Sequence, residues 1–125
     1  MKQAFRLAYD GRNFHGFQRQ SHLPTIETSL FKSLVNLGLC SDVPVDYSAA
    51  GRTDSGVSAI AQTVSFEAPV WCTPSAINSK LPSSIRVWAS TIVPENFNAT
   101  LDALSRTYVY YLHASNLDYE LLNSS

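Results

Sequence analysis

Residues 25–38 read TIETSLFKSLVNLG and contain the clearest structural pattern in this sequence. Its apolar residues recur at the spacing of one helix face, at Ile26, Leu30, Leu34 and Leu37. Thr25 is a favourable N-cap, and Glu27 in the first turn favours the positive end of the helix dipole. Gly38 is a natural C-terminal stop. The segment therefore predicts a helix that ends at Gly38.

The segments on both sides of this helix alternate as strands do. Before it, Phe5, Leu7 and Tyr9 alternate with smaller or polar residues, which predicts a half-buried strand. After it, extended patterns occupy the ranges 46–50, 64–66, 85–89 and 107–112. A short helix, with Pro74 at its first position and Pro82 at its end, separates the second and third of these. The order predicts an α+β fold, a mainly antiparallel sheet with helices packed on one face, in a ferredoxin-like or RRM-like β-α-β-β-α-β arrangement.

Composition excludes several classes of protein. The chain has 125 residues and a net charge of -1, so bulk charge does not indicate a strongly basic nucleic-acid binder. Its two cysteines, Cys40 and Cys72, are not spaced as metal ligands, and we expect reduced thiols. The first residues contain no apolar signal-peptide core and no run is long enough to span a bilayer. These features predict a cytoplasmic protein with no membrane partner.

Residues 50–59, AGRTDSGVSA, form the sharpest candidate site. Asp54 is placed to act as a nucleophile or a general base, and Arg52 to bind a phosphate or Asp54 itself. The flanking glycines allow a ligand to approach the backbone closely. From these residues alone, an ordinary Asp-Ser-Gly turn with a surface arginine beside it is the more frequent arrangement.

Residues 9–20, YDGRNFHGFQRQ, form a second candidate. Phe14 and Phe17 offer stacking faces. Donors for phosphates and bases are offered by Arg12, Arg19, Gln18 and Gln20, a combination that suits single-stranded or flipped nucleotides. The alternative is a loop whose aromatic rings enter the core and whose glutamines face water.

Residues 107–112 form the third candidate, because Tyr108 offers a face on which a base can stack. Alternating Tyr and Val is also ordinary strand chemistry. Each of the three segments is weak evidence by itself, and the argument depends on their occurring together.

Together, and in this order, the three segments resemble motifs of the TruA family of tRNA pseudouridine synthases. Its members carry Y-D-G-x-x-[FY]-x-G-[WF]-Q-x-Q, G-R-T-D-x-G-V and R-x-Y-x-Y, and residues 9–20, 51–57 and 106–110 match these patterns. The resemblance extends from about Phe5 to Leu112. It implies that residues 1–115 are the N-terminal α/β domain of such an enzyme, and that the tail 116–125 is the truncated start of a second half.

The resemblance also implies residue roles. Asp54 would be the nucleophile that breaks the bond between uracil and ribose, and the expected RNA-binding residues are Arg52, Thr53, Tyr108, Arg12, Gln18 and Gln20. The implied substrate is the anticodon stem and loop of tRNA. No metal and no small-molecule cofactor are implied, and the implied protein partner is a second copy in a homodimer.

Two departures from the family pattern stand out. Ser58 follows Val57 where relatives often have His, and Thr100 stands where they usually have Arg. Family members are also longer, and their second half supplies a basic residue that pairs with the catalytic carboxylate. The alternatives are therefore a catalytically incomplete RNA-binding fragment and a half-domain that needs a C-terminal partner. A metal-dependent hydrolase is disfavoured by the lack of ligand clusters.

Overall fold

The computed structural model describes residues 1–50 and 58–102 of the chain. The elements in chain order are β1 (Lys2–Tyr9), α1 (Ile26–Asn36), β2 (Ser48–Ala49), β3 (Ala59–Glu67), α2 (Pro74–Asn78), β4 (Ile85–Ile92) and α3 (Ala99–Asp102), with a 3₁₀ turn at Gly11–Asn13. The sheet has the order β2-β3-β1-β4, and all its neighbours are antiparallel. The predicted α+β fold is confirmed over these residues. The predicted strand 107–112 and the tail 116–125 lie outside them.

The main core lies between the sheet and the two longer helices. Phe5 pairs with Val64 on β3, and Leu7 pairs with Val87 on β4, so these side chains point to the same face. That face is covered by the apolar side of α1 and by Ile77 of α2, all of which belong to one buried cluster. The prediction that the helices pack on one face is confirmed for α1 and α2, whereas α3 begins at Ala99 on the other face.

The opposite face of the sheet carries small and polar side chains, and these are also buried. Arg6 is only 4% exposed, and its Nη1 donates a hydrogen bond of 2.9 Å to Thr63 Oγ1. Near the start of β1, Phe97 and Ala99 pack against Ala4 in a second apolar cluster. Strand β1 is thus buried on both faces, and the prediction of a half-buried strand is wrong. At the start of the strand, the second face is covered by residues that follow β4.

Both ends of α1 form as the sequence predicts. Thr25 Oγ1 accepts a hydrogen bond of 3.2 Å from the Thr28 amide. At the other end Gly38 has φ of 82°, a conformation that favours glycine. The Gly38 amide donates to Val35 O and the Leu39 amide to Leu34 O, each at 3.0 Å. These two bonds form a Schellman motif, which satisfies carbonyls that the helix leaves unpaired.

Helix α2 begins as predicted but ends earlier. Thr73 is its N-cap and Pro74 its first residue, but the helix stops at Asn78 and not at Pro82. The Asn78 side chain bonds to β4 instead: its Nδ2 donates to Val87 O at 2.8 Å, and its Oδ1 accepts from Val87 N at 2.7 Å. The Asn78 side-chain amide therefore bonds to Val87 as the backbone of a neighbouring strand would. These bonds lie beside a β-bulge in β4, at which Trp88 is the extra residue.

Candidate functional site

Four of the predicted site residues lie outside the described residues: Asp54, Arg52, Thr53 and Tyr108. The structure does describe the residues that flank the 51–57 segment. They establish which parts of the fold this segment connects.

Both flanks of the 51–57 segment are tied to described elements. On the first side, β2 pairs with β3, and the Ala50 amide donates a hydrogen bond of 2.8 Å to Thr63 O. On the second side, Ser58 Oγ accepts a hydrogen bond of 3.0 Å from the Gly11 amide. The structure thus brings Ser58, which follows the 51–57 segment, to Gly11 near the start of the second candidate segment, residues 9–20.

Arg12 forms an ion pair with Asp10 at this junction. Its Nε lies 2.9 Å from each Asp10 carboxylate oxygen, and its backbone amide also donates to the carboxylate, at 3.1 Å. These hydrogen bonds from Arg12 lower the pKa of Asp10 to about 2, against the weaker raising effect of burial. The Arg12 side chain is 81% exposed, so the guanidinium is held in place and still faces solvent.

Replacing Arg12 by Ala should raise the pKa of Asp10 towards its ordinary value of 3.8. Because the pKa is lowered in the folded protein, the pair stabilises the fold above pH 3.8, and this contribution is lost as the pH falls towards about 2. NMR titration of the Asp10 carboxyl carbon measures the change directly. Lys32→Ala, a neutralised cation on the exposed side of α1, is the matched control. An Asp10 pKa that is equal in Arg12→Ala and the parent chain would contradict the ion pair.

Gln18 and Gln20 lie at the surface on a firmly anchored segment. Residues 15–19 are bonded to the start of α1: the His15 amide donates to Pro24 O at 2.8 Å, and the Glu27 amide to Phe17 O at 2.9 Å. Gln20 Nε2 donates to His15 O at 3.2 Å. Hydrogen bonds therefore hold this segment against the start of α1, with both glutamine side chains exposed.

The aromatic residues of this segment do not all face solvent. Phe17 is 1% exposed, and its ring lies 6.1 Å from that of Tyr9. Phe14 is partly buried and packs against the main core. The suggestion that Phe17 offers a stacking face to a nucleotide is therefore wrong, and the alternative, an aromatic ring that enters the core, is the correct one for it.

A cleft of about 270 Å³ lies beside the first flank of the 51–57 segment. Of the predicted site residues, Gln18 lines it. The other lining residues described are Phe17, Glu27, Tyr47, Ser48, Ala49, Ala50 and Thr100. The cleft therefore joins the second candidate segment to the residue that immediately precedes Gly51.

The cleft contains two residues that the sequence did not suggest as site residues. Glu27 accepts hydrogen bonds from Arg19 N at 2.7 Å and from the Tyr47 hydroxyl at 2.6 Å. Burial raises the pKa of Tyr47, and the neighbouring Glu27 carboxylate raises it further. The position of Glu27 suggested only a dipole interaction, because nothing in the local sequence pairs it with a tyrosine twenty residues away.

The two departures from the family pattern have local structural roles. Ser58 accepts the hydrogen bond from Gly11 described above. Thr100 Oγ1 donates to Ala49 O at 2.6 Å, which attaches the start of α3 to β2. Each replacement thus holds a wall of the site in place.

Cys40 and Cys72 are free thiols, and burial raises the pKa of Cys72 to about 11.

Among residues 1–50 and 58–102, no group of three or more His, Cys, Asp or Glu side chains is arranged to hold a metal ion. None of the helices within those ranges has the length and apolar character needed to cross a membrane.

The chain is similar to curated proteins over nearly its whole length. It is 56% identical over 115 residues to tRNA pseudouridine synthase A of Haloarcula marismortui, covering 90% of this chain and 42% of that protein. It is 54% identical over 114 residues to the protein of the same name from Natronomonas pharaonis, covering 90% and 43%. With that of Methanococcoides burtonii it shares 46% identity over 128 residues, covering 100% and 46%.

No family model matches the chain. The chain spans less than half the length of the curated relatives it matches. Their shared name agrees with the motifs at residues 9–20, 51–57 and 106–110. Over the part that it covers, the chain is similar to proteins named tRNA pseudouridine synthase A, in agreement with its resemblance to the TruA family.

Proposed function

We propose that this chain forms part of an enzyme that isomerises uridine to pseudouridine in the anticodon stem and loop of tRNA. The observation that carries the proposal is the 56% identity to a tRNA pseudouridine synthase A over 90% of this chain. The matched region includes, at residues 51–54, the Gly-Arg-Thr-Asp sequence that the family uses as its catalytic loop.

The proposed reaction is an isomerisation that needs a nucleophile and consumes no cofactor. The bond between N1 of uracil and C1′ of ribose breaks, a bond from C5 to C1′ forms, and the proton on C5 is lost while N1 gains one. Nothing is oxidised or consumed. Asp54 supplies the carboxylate that attacks the nucleotide, at the sugar or at the ring, and is released when the new bond forms.

The remaining predicted residues bind the RNA. An enzyme that acts on a base in a folded RNA has to take it out of the stack. Arg52 and Thr53 adjoin the nucleophile and hold the displaced nucleotide, and Tyr108 stacks on the target base. Arg12, Gln18 and Gln20 contact the surrounding RNA, a role supported by their exposure beside the flanks of the 51–57 segment.

A second function is a catalytically incomplete half that binds RNA and requires a C-terminal partner. The observation that favours it is the coverage of 42–46% of the relatives' length. The homodimer and the cytoplasmic location stay predictions from the resemblance, and sedimentation of the purified chain tests the former.

The test is pseudouridine formation in unmodified tRNA without added metal, assayed with the chain alone and with the chain fused to the unmatched remainder of the Haloarcula marismortui protein. Activity in both supports the enzyme and shows that the second part is dispensable. Activity only in the fusion supports the half-domain. Inactivity in both, with the native Haloarcula protein active under the same conditions, refutes the catalytic proposal.

A further inference from the structure

Glu27 is a buried carboxylate at the back of the cleft. It lies in the first turn of α1, and 8% of its surface is exposed. Its two oxygens accept from different parts of the chain: Oε1 from the Arg19 amide at 2.7 Å and Oε2 from the Tyr47 hydroxyl at 2.6 Å. Hydrogen bonds of this kind, with an ionised acceptor, are stronger than neutral ones.

The two partners of Glu27 belong to two segments whose residues form walls of the cleft. Arg19 directly follows Gln18, which lines the first wall. Tyr47 directly precedes Ser48 and β2, which continue the second wall towards Gly51. A single side chain thus joins the exposed segment 18–20 to the residue that precedes the strand leading into the 51–57 segment.

Phe31, one helical turn after Glu27, reinforces the same arrangement. The Tyr47 ring packs edge-on against it with ring centroids 4.7 Å apart, and the Arg19 guanidinium carbon lies 5.5 Å from its centroid. Arg19 also forms an ion pair with Asp42 at 2.7 Å. The helix therefore holds both walls through two side chains on one face, and Glu27 makes the directional contacts.

We propose that Glu27 is a positioning residue for RNA binding: it holds the Gln18–Gln20 segment and Tyr47 in the relative placement that the bound RNA requires. This inference rests on the proposed function. Glu27 does not itself contact the RNA in this proposal, because its oxygens are already occupied and its charge repels phosphate.

The effect of removing the Glu27 charge on RNA binding distinguishes a positioning role from a purely electrostatic one. Removing a negative charge near an RNA site strengthens RNA binding if only Coulomb attraction matters. A positioning role predicts the opposite for Glu27→Ala, which leaves the Arg19 amide and the Tyr47 hydroxyl without their acceptor. Glu27→Gln is the informative conservative variant, because its amide oxygen still accepts from Arg19 and its amide nitrogen can donate to the Tyr47 oxygen.

The experiment measures binding of a synthetic anticodon-arm RNA hairpin by fluorescence anisotropy, below the unfolding temperature of every variant. We expect Glu27→Ala to bind roughly tenfold more weakly than the parent chain, a loss on the scale of one hydrogen bond. Tyr47→Phe should show a smaller loss, and Glu27→Gln should bind within about twofold of the parent. Ile77→Val, which removes a buried methylene group under the far helix α2, controls for stability and should bind as the parent does.

Amide hydrogen exchange provides a readout that does not depend on RNA. The Arg19 amide should exchange at least about tenfold faster in Glu27→Ala, because its acceptor is gone, while amides in the centre of α1 stay protected. Unchanged Arg19 exchange overturns the inference. So does an affinity equal to or tighter than the parent's in Glu27→Ala, in which case the proposed function stands. A parent chain that fails to bind the hairpin refutes its RNA-binding role, and the inference with it.

Discussion

Replacing Asp54 by Asn should reduce pseudouridine formation in unmodified tRNA by roughly a thousandfold or more, the scale expected when the nucleophile of a covalent mechanism is lost. The amide has nearly the shape of the carboxylate but neither its charge nor its nucleophilicity. The assay uses whichever form of the protein is active, the chain alone or its fusion. The rate is measured as release of the C5 proton from labelled uridine.

Binding separates the chemical role from a role in recognition. A carboxylate is not a ligand for phosphate, so Asp54→Asn should bind the tRNA as well as the parent or slightly more tightly. Asp46→Asn is the matched control: it makes the same chemical change at an exposed residue, whose φ of 57° asparagine also tolerates. Full activity in Asp54→Asn would exclude Asp54 as the nucleophile. Loss of activity in both variants would indicate a general effect of charge.

Local sequence patterns predicted the elements whose ends are determined by their own residues. Helix α1 follows from its apolar spacing, its Thr25 cap and the left-handed Gly38, and each of these acts within a few residues. The antiparallel sheet follows from strand patterns and their order. The role of Asp54 stays a prediction from its motif and the family resemblance, because Asp54 lies outside the described residues.

Features that depend on distant contacts could not be predicted in this way. Strand β1 alternates between large apolar and other residues, which is typical of a half-buried strand, yet Arg6 is buried, with its guanidinium bonded to Thr63 and close to the Trp88 ring on the neighbouring strands. Phe17 is buried in the core and Gln18 is exposed, and single-sequence patterns do not distinguish the two. Glu27 acquires its partners only when residues 19 and 47 come together in the fold.

Replacing Phe66 by Ala should lower the free energy of unfolding by about 3–5 kcal/mol, because it removes a large side chain and leaves a cavity. Phe66 is fully buried, and its ring stacks on that of Phe5 with centroids 4.8 Å apart. Urea denaturation followed by circular dichroism measures the change. Since domains of this size have a total stability of roughly 5–15 kcal/mol, this loss is a large fraction of the total.

Trp71→Ala is the matched control, because it truncates an even larger aromatic side chain that is 51% exposed, and it should change the stability by about 0.5 kcal/mol or less. A similar loss in both variants would show that burial is not what makes Phe66 important.

The activity of the Phe66 variant also helps to interpret that of Asp54→Asn. If Phe66 acts only through the core, activity falls with the folded fraction, and activity per folded molecule stays at the parent's value. Loss of activity in a fully folded Asp54→Asn then identifies a chemical defect and not a defect of the fold.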